Sequence, residues 1–338
     1  MIGHICTLTR PGRFEIYCND IPVTNKTLVR PKFMSLCHAD NRYFRGLRSA
    51  KVLEQKLPMA LIHECWGEVI FDPLDVLKPG QKVVLIPNVP PDKKELEIYE
   101  NYQKNCKFLS SDSDGFMQEI IAINNNRLIP FDFDRPEVAC VCEMISVAVH
   151  AVNRLISMSH SNKKSIGIWG DGSLGYFLAL VMHELLPDTK IFVIGKNINK
   201  LSFFSFVENT YLINEIPENF VINHAFECAG GKGSEIAIND IIKYTSPQGC
   251  VMLLGVSEEH VLVNTRDILA KGLIFIGCSR SGFNDFSRAI NFLNNENFRD
   301  RIASVIYFDE PVRCIQDIYR VFDTDLKTTF KTAFEWAF

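Results

Sequence analysis

The sequence predicts an α/β protein, with a β-rich first part followed by a doubly wound parallel sheet flanked by helices. Three observations carry this. Residues 1 to about 135 hold short apolar runs broken by turn residues. Near residue 140 the apolar residues take up helical spacing. Beyond residue 165 short apolar strands alternate with helical runs, the rhythm of βαβ units.

The elements follow in order. Lys82-Val83-Val84-Leu85-Ile86-Pro87 comes directly after the turn Lys78-Pro79-Gly80 and reads as a strand. Residues 90–115 are polar and charged, a surface excursion. From Glu143 to Ser157, Val147, Val149, Val152 and Leu155 lie near one another on a helical wheel. Ser165-Ile166-Gly167-Ile168-Trp169 is a short apolar strand, Tyr176 to Leu186 a helix, and Lys190 to Gly195 the next strand. Further strands are expected at 224–228, 251–255 and 273–277, continuous apolar runs that suit burial on both faces. The remainder mixes helix and strand and is expected to pack back on the first part. The predicted boundaries are 1–138, 139–277 and 278–338.

At 338 residues and 47% hydrophobic, the chain can build about two cored domains. A net charge of −4 gives no nucleic-acid footprint. No apolar run was expected to approach the ~20 residues that span a bilayer, so no membrane partner is predicted. The first residues, Met1-Ile2-Gly3-His4-Ile5-Cys6, lack the form of a secretory signal. Eleven scattered cysteines, an odd number, argue against a disulfide framework and for a reducing cytoplasm.

Gly170-Asp171-Gly172-Ser173-Leu174-Gly175 follows a strand and opens a helix, the context a dinucleotide fingerprint requires. Gly170 allows the tight turn, Gly172 admits a pyrophosphate to the backbone, and Gly175 lets helix and strand pack closely. Ser173 and Leu174 lie in the same turn, which opens the helix whose N-terminal N–H groups face the anion. An NAD site normally has an acid at the end of the second strand, for the ribose hydroxyls. This chain has Gly195-Lys196-Asn197-Ile198-Asn199-Lys200 instead. With no carboxylate there to repel a 2′-phosphate and two lysines to attract it, NADP(H) is expected over NAD(H). Cys228, Gly255 and Val256, at the ends of later strands, are expected to line the same cofactor. The alternative for Lys196 and Lys200 is a solvated helix start.

Cys37-His38-Ala39-Asp40, His63-Glu64 and Glu143 supply a thiolate, an imidazole and carboxylates, a donor set Zn²⁺ accepts. In this reading Cys37 and His63 bind the metal, Glu64 and Glu143 are direct or exchanging ligands, and Asp40 orients a ligand from behind. Singly, each residue also has a structural explanation: a buried thiol, a paired histidine, an acid at a helix start. A metal that polarises a carbonyl beside a hydride-carrying nucleotide makes an alcohol dehydrogenase.

The order of these motifs resembles the medium-chain zinc-dependent dehydrogenase/reductase superfamily, nearly end to end. The segments that carry it include Cys37 to Tyr43, Leu57 to Glu64, Gly170 to Leu174, Ala225 to Gly231, Asn264 to Asp267, Lys271 to Leu273 and Gly277 to Gly282. The resemblance implies a GroES-like catalytic domain and a Rossmann domain with a cleft between them. It implies catalytic zinc on Cys37, His63, Glu64 and Glu143, and a homodimer or higher oligomer. It is strongest to the branch that reduces D-ribulose 5-phosphate to D-ribitol 5-phosphate with NADPH, feeding a CDP-ribitol cytidylyltransferase and thence teichoic acid or capsule synthesis.

Two departures from the wider superfamily stand out. Many members hold a structural zinc on four close cysteines; residues 90–115 contain Cys106 alone, so one catalytic zinc and no structural zinc is expected. Many carry a proton-relaying hydroxyl two residues after the cysteine ligand; here Ala39 stands there, leaving His38, a water chain or another group. For the substrate phosphate, Arg42 is the favoured partner among Arg42, Arg45 and Arg48, with Arg280 a second candidate. Surface arginines on a helix are the alternative for Arg45 and Arg48. Three rival functions are a sorbitol-type dehydrogenase of an unphosphorylated polyol, a zinc-free quinone or enoyl reductase, and a nucleotide-binding protein without catalysis.

Overall fold

A computed structural model describes residues 1–93 and 95–338. The chain divides into two compact units, one formed by Met1–Ser146 with Ser281–Phe338, the other by Val147–Arg280.

The first unit opens with β1 (Ile2–Arg10) and β2 (Arg13–Asp20), an antiparallel pair. Next come β3 (Thr27–Ser35), α1 (His38–Phe44), α2 (Ala50–Lys56) and β4 (Glu64–Phe71). The two helices lie where sequence patterning indicated strands. Their signals are local caps instead of apolar period. Asp40 closes back on the Cys37 amide, and Ser49 accepts from Val52 N. Then follow β5 (Lys82–Leu85), β6 (Asn88–Val89), β7 (Lys107–Phe108), β8 (Ile121–Ile123), β9 (Leu128–Pro130) and α3 (Cys142–Met158), whose residues from Val147 onward belong to the second unit.

The second unit is a parallel sheet built from β10 (Ser165–Trp169), α4 (Ser173–Leu185), β11 (Lys190–Gly195), α5 (Ile198–Leu201), β12 (Asn209–Leu212), β13 (His224–Glu227), α6 (Ser234–Tyr244), β14 (Cys250–Leu253), α7 (Thr265–Lys271) and β15 (Ile274–Gly277). Among the described residues the order across the sheet is β12-β11-β10-β13-β14-β15. The order reverses at β10, so the turns after β10 and β13 open at a topological switch point, where such sheets bind ligands. β12, Asn-Thr-Tyr-Leu, had no sequence signal, being short, half-buried and polar at its start.

The chain returns to the first unit as α8 (Phe283–Leu293), α9 (Glu296–Ala303), β16 (Ile306–Val312), α10 (Ile315–Asp325) and β17 (Lys331–Trp336). β16 and β17 complete a sheet ordered β16-β17-β3-β4-β5-β9, so the last strand of the chain pairs beside β3, which leads into Cys37. The exit and re-entry points of this unit are tied together by the Ser146 and Ser281 hydroxyls, 2.6 Å apart.

Pro136–Met158 is helical throughout and is long and apolar enough, by length and composition, to cross a membrane. It is mostly buried within the protein, as a core helix is, and Glu143 and His150 interrupt the apolar run in sequence.

A buried histidine sets an acid limit on the second unit. His224 is fully buried, accepts from Cys250 N through Nδ1 at 3.0 Å and lies against the His160 ring. Burial, then the charges of His160 and Lys163, lower its pKa to about 4. A histidine held neutral in the fold contributes stability that is complete above its unfolded pKa, near 6.5, and is lost as pH falls toward 4. The loss is about 3 kcal/mol. Urea unfolding of the native chain and of His224→Gln should therefore converge as pH drops from 7 to 4.5, the variant losing less; parallel curves would refute this account.

Candidate active site

The first unit assembles the predicted metal donors from three segments. β3 ends and α1 begins at Cys37, the residue that N-caps the helix in an extended conformation. Asp40, on the first turn of α1, is 1% exposed and both its oxygens are used. Oδ2 accepts from Cys37 N at 3.0 Å, and Oδ1 accepts from Ile62 N at 3.1 Å and from Ser110 Oγ at 3.0 Å. One carboxylate thus fixes the backbone of Cys37 and of the residue before His63. Ile62 sits at φ +68°, unusual for a β-branched residue, and that conformation turns the chain into His63-Glu64. Gly115 is required alongside, since a Cβ there would lie 2.4 Å from Ile62 O.

Cys37, His63 and Glu64 offer ligand atoms that all lie within 4.8 Å of one another. His63 is buried against the Phe108 ring, and its Nδ1 has no hydrogen-bond partner. Burial alone would lower this imidazole's pKa. Asp40, then Cys37 and Glu143, outweigh it and raise it to about 10. The unbonded Nδ1 lies 3.9 Å from Asp40 Oδ1, and a thiol, an imidazole and a carboxylate this close together form a set that suits a cation. Zn²⁺ accepts this S, N and O set, so the residues fit the ion.

Glu143, the second residue of α3, is 7% exposed. Burial, with the Glu64 and Asp40 charges, pushes its carboxyl up to about 7, while His63 and Lys331 oppose the rise. It lies in electrostatic reach of the cluster without joining the mutual 4.8 Å set.

Two partners of the site had not been anticipated. Lys331, the first residue of β17 and 2% exposed, donates to Glu64 Oε1 at 2.8 Å and to Leu36 O at 2.6 Å. Ser35 Oγ donates to Glu64 Oε2. Both Glu64 oxygens are therefore held on the side of β3 and β17. Burial would lower the Lys331 pKa, but Glu64, followed by Cys37, outweighs it and keeps the ammonium charged. A lysine 267 positions away from its partner carries no local sequence signature.

On the rim, His38 is exposed and its pKa is lowered, by partial desolvation first and then by Arg42, with Asp325 opposing and Arg45 and Arg48 adding to the effect. These guanidinium groups make a cationic patch next to Cys37. Arg48 lies over the Tyr43 ring at 5.0 Å, a packing role. Arg42 is half-buried in the last turn of α1. Arg280 is the last residue of the second unit, half-buried at φ +60°.

The second unit carries the glycine turn. Gly170 is at φ +142°, and a Cβ there would lie 2.8 Å from the Cys228 backbone. A Cβ on Gly175 would lie 2.0 Å from Gly170 O, whereas Gly172 has open space. Ser173 and Leu174 begin α4. The next turns are bound together by Glu227, 1% exposed. It accepts from Ala229 N, Gly230 N and Ser234 Oγ through Oε1 and from Gly255 N through Oε2. Cys228 N donates to Trp169 O, and Gly231 N to Val256 O. The turn from Gly170 to Gly175, open at Gly172 and backed by these fixed loops, fits a dinucleotide pyrophosphate. Lys196 and Asn197 are exposed and Lys200 half-buried at the end of β11 and in α5.

Residues 24–133 match the alcohol dehydrogenase GroES-like domain. The chain is 46% identical to a ribulose-5-phosphate reductase of Streptococcus pneumoniae over 338 residues, covering 99% of this chain and 98% of that protein. It is 44% identical to ribulose-5-phosphate reductase 1 of Staphylococcus aureus, covering 99% of each. The crystal structure of S. aureus TarJ in complex with NADPH superposes with a TM-score of 0.88 at 41% identity, covering 99% of each chain.

Proposed function

The chain belongs to the ribulose-5-phosphate reductases of the medium-chain dehydrogenase/reductase superfamily, and we propose that it reduces D-ribulose 5-phosphate to D-ribitol 5-phosphate with NADPH. The observation that carries this reading is the Cys37, His63 and Glu64 set, whose ligand atoms all lie within 4.8 Å of one another, in a chain similar to such reductases from end to end.

When bound, Zn²⁺ supplies Lewis acidity at the C2 carbonyl and NADPH supplies the hydride. The remaining work falls to the chain. Cys37 and His63 hold the metal, and Glu64 and Glu143 are direct or exchanging ligands. Asp40 keeps Cys37 and His63 in register through the two backbone amides it accepts from. Lys331 and Ser35 restrain Glu64 and offset its charge, which would set how readily it serves as a ligand. The proton that completes the alcohol comes from the exposed rim at His38 or through water there, since Ala39 has no hydroxyl. Arg42 binds the substrate phosphate, with Arg280 as second partner. Gly170, Gly172, Ser173, Leu174 and Gly175 cradle the pyrophosphate; Cys228, Gly255 and Val256 line the nucleotide, and Lys196, Asn197 and Lys200 receive the 2′-phosphate. We infer one catalytic zinc and no structural zinc, Cys106 standing alone in residues 90–115.

NADPH oxidation with D-ribulose 5-phosphate should proceed and should stop on chelation. Turnover that survives chelation would favour a zinc-free reductase, and preference for unphosphorylated ribulose a sorbitol-type enzyme. Arg42→Ala should raise KM for the phosphorylated sugar roughly tenfold or more, from loss of a charge-assisted contact; an unchanged KM removes Arg42 from this role.

A cytoplasmic location, upstream of a CDP-ribitol cytidylyltransferase and of teichoic acid or capsule synthesis, completes the reading; the eleven free cysteines suit a reducing compartment. We also infer a homodimer or higher oligomer. β15 is an edge strand of its sheet, and Ile274, Leu262 and Leu269 are exposed in that unit. Light scattering should give at least twice the 38.5 kDa chain mass; a monomer would end this inference.

A further inference from the structure

The second residue of the glycine turn carries a carboxylate whose partners lie just past the end of the next strand. Asp171 Oδ2 accepts from both Lys196 N and Asn197 N at 2.7 Å each. Gly195 makes this approach possible, because a Cβ there would lie 2.5 Å from that same oxygen. The acid that a dinucleotide site normally places at the end of the second strand, facing the ribose, is thus absent from that strand. A carboxylate from the preceding turn reaches the same strand end, and the oxygen that gets there is committed to two backbone amides.

The neighbouring side chains are arranged to match. Asn197 Oδ1 accepts from Asn199 N and Lys200 N, so the part of its amide still available is the NH₂ donor. Lys196 Nζ reaches to within 3.8 Å of where a Cβ on Gly233 would be, leaning over the turn after β13. The segment therefore presents donors and cations, with its acceptor groups turned inward. A ribose 2′-hydroxyl needs an acceptor here, and a 2′-phosphate needs donors and positive charge.

We propose that Asp171 is the positioning residue for cofactor selectivity: by holding the Lys196 and Asn197 amides it fixes their turn in the geometry that receives the 2′-phosphate of NADPH. This rests on the reading that Lys196 and Lys200 contact that phosphate. Asp171 touches the cofactor's selectivity through the turn, and its charge would otherwise oppose an anion.

The test is fluorescence titration of the full-length chain with NADPH and with NADH, which reads binding without turnover. Asp171→Ala should raise the Kd of NADPH roughly tenfold, the scale of losing hydrogen bonds to a charged acceptor, and leave that of NADH within about twofold. Gly195→Ala, which pushes the carboxylate aside without deleting it, should reproduce this, and Asp171→Asn, which keeps an acceptor, should recover part of the loss. Circular dichroism melts confirm that each variant folds; the asparagine variant decides the matter if the alanine variant does not. Equal weakening of both nucleotides, or tighter NADPH binding, overturns the proposal. A Lys196→Ala/Lys200→Ala variant separates the two layers. Selectivity kept there overturns the phosphate reading itself, whereas selectivity lost there but kept in Asp171→Ala overturns the latch alone.

Discussion

Cys37→Ala should leave a folded chain without its catalytic metal, and NADPH-linked reduction of ribulose 5-phosphate should fall by roughly three orders of magnitude. Lewis-acid polarisation is worth several kcal/mol, and each 1.36 kcal/mol is a decade in rate. Cys37 is the only thiol of the mutual ligand set among the described residues, so no neighbouring sulfur can replace it. The fold should survive because the backbone at this corner is held without the thiol: Asp40 accepts from the Cys37 amide and from Ile62 N. Cys65→Ala is the matched control. It removes a fully buried thiol, one whose Sγ donates to Trp66 O and whose pKa burial drives well up, away from the thiolate a metal requires. Metal analysis and kcat/KM of both variants decide the matter. Full metal content in Cys37→Ala, or activity within tenfold of the native chain, would remove zinc from the mechanism.

Lys331→Met should destabilise the first unit by about 3–5 kcal/mol, the range for removing one partner of a buried ion pair. The deletion leaves Glu64, 0% exposed, with Ser35 as its remaining donor, and frees the Leu36 carbonyl. The cost lies in the stranded carboxylate, so Glu64→Gln/Lys331→Met should recover much of it. Urea unfolding measures both. A single variant within 1 kcal/mol of the native chain would mean that the pair does not stabilise the fold. Kinetics add a second readout. If Lys331 restrains Glu64, its loss should change metal retention during dialysis as well as stability, which a purely structural lysine would not do.

Much of the nucleotide unit was legible because its signals are local. A strand, a glycine turn and a helix within some twenty residues specify Gly170 to Gly175, and the apolar runs of β10, β11, β13, β14 and β15 follow from burial on both faces. The donors Cys37, His63 and Glu64 were legible by residue type, and the structure brings them together. What escaped was non-local or depended on caps. α1 and α2 are seven residues each, too short for a helical period to outweigh the strand texture around them. Ser35 and Lys331 meet Glu64 across strands that pair late in the chain. Glu227 read as part of an apolar strand, yet its carboxylate binds two turns together through donors that no sequence motif specifies. The expectation that no carboxylate stands at the strand end near Lys196 is corrected: the strand carries none, but Asp171 reaches it from the preceding turn and accepts from the Lys196 and Asn197 amides.

Asp40 also bears on how the proposed metal site would behave without an ion. Because one aspartate clasps the polypeptide at Cys37 and again just before His63, the seat for the cation is laid down by the protein and does not wait for metal to shape it. That distinguishes it from small domains whose folding is driven by the ion itself. Stripping and reloading should accordingly be a repeatable exchange, in which an inactive chain keeps its melting cooperativity and regains turnover when zinc is restored.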